Sequence, residues 1–124
     1  MSWGDWGKKF SIPQMQELIE KAVDIGIHTF DHADIYGGYT TEKSFGEAFK
    51  KSSLAREKVQ FITKCGIQIP CEARPVQVKH YDYTTSHIQA SVDNSLKNLN
   101  TEYLDLLLLH RPSPLIDEKI INDI

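Results

Sequence analysis

The sequence predicts an α/β fold built on a parallel sheet. Short apolar segments alternate with amphipathic helical ones, turn residues bound them, and each apolar segment ends on an ionisable side chain. Alternation of this kind places successive strands parallel, joined by right-handed crossovers. The pattern fits an open doubly wound sheet or a closed barrel equally well.

The first helix is expected over residues 13–25. Ser11 stands where a cap belongs, Gln14 suits a capping box, and Met15, Leu18, Ile19, Ala22 and Val23 form a stripe at helical spacing. Gly26 is placed to end the helix, since glycine accepts the left-handed conformation. A buried strand follows over 27–30, ending near Asp31, and a loop over 32–41 carries Gly37 and Gly38. The next helix, 42–51, buries Phe45, Ala48 and Phe49, and the strand 59–63 ends at Lys64. Residues 65–83 show no period, and a loop of that length is usually functional. The third helix, 86–99, aligns Ile88, Val92, Leu96 and Leu99. A strand over 104–109, apolar throughout as a strand covered on both faces would be, ends at His110. Pro112 and Pro114 stop it, and a further helix is expected to begin within 115–124.

Composition narrows the function. The 124 residues carry 14 basic and 17 acidic side chains, a net charge of −3, which does not favour nucleic acid or an anionic membrane. The apolar run 104–109 is too short to cross a bilayer, no secretory leader is visible, and two cysteines make no disulfide framework. A cytoplasmic protein is the expectation.

In parallel α/β proteins, functional groups gather at the C-terminal ends of the strands. Here those ends carry Asp31, Lys64 and His110, with Tyr36 in the loop leaving the first. Neighbouring strands are about 4.8 Å apart, so the four side chains can share one cleft. A lysine ammonium beside a tyrosine stabilises its phenolate, and a carboxylate holds the ammonium. A histidine alongside can orient a substrate oxygen. Such a group suits carbonyl–alcohol interconversion, with the hydride coming from a nicotinamide cofactor.

The run Thr29-Phe30-Asp31-His32-Ala33-Asp34-Ile35-Tyr36-Gly37 resembles the aldo-keto reductase signature, in which an aspartate precedes the tyrosine by five residues. Ile62-Thr63-Lys64 resembles that family's lysine strand end, and Leu104 through Pro112 its histidine strand end. The paired glycines after Tyr36 resemble a bacterial oxidoreductase branch. The resemblance implies a partial (β/α)8 TIM barrel, about strands 2–4 with their helices, and NADP(H) bound without a Rossmann motif. By position, Tyr36 is implied as general acid, Lys64 as its tuner, Asp31 as the partner of Lys64, and His110 as the guide of the carbonyl. Asp31, Tyr36 and His110 are also implied to contact cofactor, and Trp3, His110 and Arg111 a small carbonyl substrate. His32 and Arg111 depart from the family's usual residues, and both are expected at the cleft. A complete barrel takes about 250 residues. Residues 1–124 are thus expected to form the N-terminal portion of such a domain, inactive alone and prone to associate through open strand edges.

Singly, each of these residues has a blander reading: Asp31 a loop acid, Tyr36 a packing group, Lys64 a solvated charge, His110 a buried histidine. Their joint spacing favours the catalytic reading. Asp34 is as well read as a turn carboxylate as a second cleft acid. A metal site at His28 and His32 is not expected, Cys65 is read as a buried inert thiol, and His80 and His87 as surface groups. Two rivals stand beside the reductase: a binding protein on the same fold, as in potassium-channel β subunits, and a metal-dependent barrel hydrolase.

Overall fold

The computed structural model describes residues 2–112. In chain order it contains α1 (Ile12–Asp24), β1 (Thr29–Asp31), α2 (Thr41–Lys51), β2 (Gln60–Cys65), β3 (Ile67–Gln68), β4 (His80–Tyr81), α3 (Thr85–Leu99) and β5 (Leu106–Leu109). The order β1-β2-β5 defines a three-stranded parallel sheet, with Asp31 beside Ile62 and Lys64 beside Leu108. The expected α/β architecture is present, and β1 and β5 are the edges of the described sheet. The helix expected within 115–124 lies outside the described residues.

Local chemistry sets the element ends. At the start of α1, Gln14 Oε1 accepts from the Ser11 amide at 2.9 Å and from its hydroxyl at 3.0 Å. At its end Gly26 takes φ +88°, and Ile27 N donates back to Ala22 O at 2.8 Å. Ile27 therefore belongs to the helix closure, stays 51% exposed, and the strand starts at Thr29 rather than Ile27.

All three long helices pack on one face of the sheet. Phe30, Phe45, Phe49 and Phe61 meet there with Met15, Ile19 and Leu99. Phe61 lies 5.4 Å from Phe45 and 5.0 Å from Phe49, ring centre to ring centre, both edge-on. Each buried phenylalanine is worth roughly 1.5–3 kcal/mol. The opposite face carries Asp31, Ile62, Lys64, Leu106 and Leu108. The expectation that the last strand is covered on both faces fails among the described residues: Leu106 and Leu108 remain 45% and 38% exposed, because the helices occupy only the other side.

The N-terminal ends of β2 and β5 are tied by Arg56. Its guanidinium lies between the rings of Phe61 and Tyr103, 4.1 and 4.0 Å from their centres. It donates to Thr101 Oγ1, to the carbonyls of Val59 and Tyr103, and to Asp105 Oδ2 at 2.7 Å. The unpatterned segment 65–83 is not a bare loop, since β3 and β4 pair antiparallel within it.

Candidate active site

The C-terminal ends of the parallel strands bring the four predicted side chains together. Asp31 closes β1, Lys64 is the penultimate residue of β2, and His110 follows β5, its amide donating to Cys65 O at 2.8 Å. Tyr36 is delivered by the loop between β1 and α2. That loop continues the ladder through His32 N to Ile62 O at 2.8 Å and Asp34 N to Lys64 O at 2.9 Å. It then turns tightly: Tyr36 N donates to Ala33 O, and Tyr36 O accepts from the amides of Thr40 and Thr41. Gly37 and Gly38 both have positive φ, +64° and +66°, so their first duty is the turn.

Lys64 is the centre of the group. Its ammonium donates to both Asp31 carboxylate oxygens and to the His32 carbonyl, each at 2.7 Å. Its three protons are thereby committed, and the charge is held 5.4 Å from the centre of the Tyr36 ring. The Lys64 side chain is 16% exposed and that of Asp31 52%. The His110 ring meets Tyr36 edge-on at 6.2 Å. Burial, reinforced by the Lys64 and Arg111 charges, pushes the His110 pKa down, so a neutral imidazole faces the tyrosine. The Tyr36 hydroxyl has no hydrogen-bond partner among the described residues, which leaves it available to a ligand.

Other expectations are redistributed. His32 does not face the cleft. Side chains alternate along the strand and its extension, so His32 falls on the helix-packed face with Phe30, fully buried against Phe45 with ring centres 4.3 Å apart. Burial lowers its pKa to about 3. Trp3 packs edge-on against Phe10 and the first core cluster. Trp6 instead stands beside the tyrosine, sharing a cavity of about 280 Å³ with Tyr36, Gly37 and Thr41. Arg111 is exposed at φ +60°.

Asp34 turns away into a separate polar cavity of about 290 Å³ with Tyr39, Glu42, Arg74 and His87. Burial, and then the Glu42 carboxylate, raise its pKa to about 7. Glu42 is itself shifted upward by burial, against hydrogen bonds from Thr63 at 2.5 Å and Ser95 at 3.0 Å. His87 is not the surface group its position suggests: Gln68 lies 2.8 Å from its Nε2 and Ser91 3.3 Å. Cys65 is buried, and its thiol is pushed up to about 12, as an inert thiol requires. Among the described residues no three His, Cys, Asp or Glu side chains are placed to share a metal ion, and no helix is long and apolar enough to cross a membrane.

A further cavity, about 710 Å³, lies at the other end of the sheet beside Arg56 and Tyr103 and contains none of the four residues.

Comparison with known proteins gives one consistent result. A profile described as the Aldo/keto reductase family matches residues 1–124. The chain is 52% identical over 109 residues to the uncharacterized oxidoreductase YcsN of Bacillus subtilis, covering 87% of this chain and 36% of that protein. It is 48% identical over 104 residues to a 6-dehydroglucose reductase of Agrobacterium fabrum, covering 83% and 35%. Among solved structures, the holo form of the aldo-keto reductase AKR11C1 of Bacillus halodurans superposes with a TM-score of 0.74 at 25% identity, over 91% of this chain and 36% of that one. The chain thus spans little more than a third of the length of these relatives.

Proposed function

The chain belongs to the aldo/keto reductase family, and from that premise we propose that it carries the proton-handling part of an NADP(H)-dependent oxidoreductase that reduces aldehydes or ketones to alcohols. The observation that supports this most strongly is the Lys64 ammonium, fixed by three 2.7 Å hydrogen bonds beside the Tyr36 ring. In this reading the Tyr36 hydroxyl gives its proton to the carbonyl oxygen as negative charge develops there. The phenolate left behind is stabilised by the ammonium, which Asp31 keeps charged and in place, and it recovers a proton from solvent. His110, as a neutral imidazole, donates a hydrogen bond that orients the carbonyl oxygen.

NADP(H), when bound, supplies the hydride. The open polar face fits a nicotinamide: the Asp31 side chain is 52% exposed, and the His110 ring meets Tyr36 edge-on. We assign the substrate wall to Trp6 rather than Trp3, with His110 and Arg111 at its rim. A small cytoplasmic carbonyl compound is the proposed partner, with no role for nucleic acid or membrane.

The test is NADPH oxidation by the full-length protein that carries this sequence, across a panel of aldehydes and ketones that includes 6-dehydroglucose. Oxidation dependent on a member of the panel supports the reading. Cofactor binding with no turnover on any member refutes it and favours a binding role.

A further inference from the structure

We infer that Tyr83 is a positioning residue for His110, pinning the backbone turn that presents the imidazole to Tyr36; the inference rests on the carbonyl-reduction reading of the site. The His110 ring lacks a side-chain anchor: its Nδ1 is buried and has no hydrogen-bond partner among the described residues. Its placement must therefore come from its backbone. On one side the His110 amide is fixed to Cys65 O at 2.8 Å. On the other the chain leaves the sheet through Arg111, a non-glycine residue in the left-handed region at φ +60°. The Tyr83 hydroxyl holds this exit. It lies 2.5 Å from the His110 carbonyl and 3.0 Å from that of Arg111, so one O–H is shared by two successive carbonyls of the turn.

Tyr83 is itself located by the strand that carries Lys64. Gly66 follows that strand at φ +115°, and a Cβ there would fall 2.1 Å from Tyr83 Cε1, so the phenol ring lies directly on the glycine backbone. Asp82 N donates to Gly66 O at 2.8 Å, and Tyr81 stacks on Tyr83 with ring centres 6.1 Å apart. The β3–β4 ribbon thereby ties the end of β2 to the residue after β5. Burial raises the Tyr83 pKa, which keeps the hydroxyl a neutral donor.

Tyr83→Phe removes the hydroxyl and keeps the ring on Gly66. In the full-length protein we expect an unchanged circular dichroism spectrum, unchanged NADPH affinity, and a loss of roughly ten- to a hundredfold in kcat/KM, the usual scale for a displaced catalytic group. In a His110→Gln background the same substitution should cost almost nothing more, because the two changes act through one group. Full activity in Tyr83→Phe, or losses that multiply with His110→Gln, overturn the inference. A second readout stands apart from turnover. The His110 ring signals in NMR should move in Tyr83→Phe while those of His28 hold still. If the wild-type chain reduces no carbonyl, the functional reading fails and this signal decides alone: displacement supports the positioning role, and an unmoved His110 ring refutes it.

Discussion

Replacing Asp34 by asparagine should stabilise the folded chain at neutral and alkaline pH, and the reason is the isolation of that carboxyl group. Asp34 is 8% exposed, and its carboxyl oxygens have no side-chain hydrogen-bond partner among the described residues, only the Ile35 amide and the Arg74 charge favouring the ionised form. Burial and the neighbouring Glu42 hold its pKa at about 7, against 3.8 for an unperturbed aspartate. The folded state therefore keeps a proton that the unfolded state has already released. Stability is intact below the lower value and falls as pH rises through the window, by about 1.4 kcal/mol per pH unit. A gap of roughly three units makes the full cost on the order of 4 kcal/mol, reached near pH 7 and constant above it. Asparagine has the same shape and no charge, but its buried amide also lacks partners, which costs roughly 1–3 kcal/mol. The net gain expected at about pH 8 is then about 1–3 kcal/mol, with a loss or no gain at about pH 4. Urea unfolding of both proteins across this range measures it. Parallel stability curves, or a variant that falls further behind as pH rises, would refute the reasoning.

Other outcomes follow from the same geometry. Arg56→Ala should cost about 2–4 kcal/mol, since it removes the guanidinium bonds to Asp105 and to the Val59 and Tyr103 carbonyls at the base of β2 and β5, leaving Asp105 Oδ2 the Phe61 amide and Tyr103 O the Thr101 hydroxyl; thermal unfolding reads the loss, and Arg56→Lys should restore only part of it. A thiol reagent at neutral pH should label Cys71 in the native protein and reach Cys65 only after denaturation, because the buried Cys65 thiol stays protonated; equal labelling rates by mass spectrometry would contradict that assignment.

Much of this arrangement is legible in the sequence because it depends on short-range chemistry. The Ser11–Gln14 start and Gly26 end of α1, and the aromatic stripe of α2, follow directly from spacing. The strand ends at Asp31, Lys64 and His110 are marked by apolar runs that stop at an ionisable residue. What is not legible depends on contacts distant in sequence. The β3–β4 ribbon pairs strands of two residues, too short for a period, within a segment broken by Pro70 and Pro75. Tyr83 gains its role only because Gly66 lets it reach the turn after β5. The burial of His87 likewise depends on its partner Gln68, which lies on that same ribbon. The position of His32 does follow from local geometry: with Asp31 facing the cleft, strand alternation sends the next side chain to the helices. Trp6 over Trp3 reflects the path of the N-terminal segment, where Phe10 N donates to Trp3 O at 2.9 Å and draws Trp3 toward the first core cluster.

The proposed reaction depends on the proton of Tyr36. Steady-state carbonyl reduction by Tyr36→Phe in the full-length protein, measured beside NADPH binding by fluorescence titration, tests it most directly. Cofactor affinity is expected to stay close to wild type and turnover to fall by roughly 10²–10⁴-fold, the range for a lost general acid. Turnover equal to wild type would contradict it.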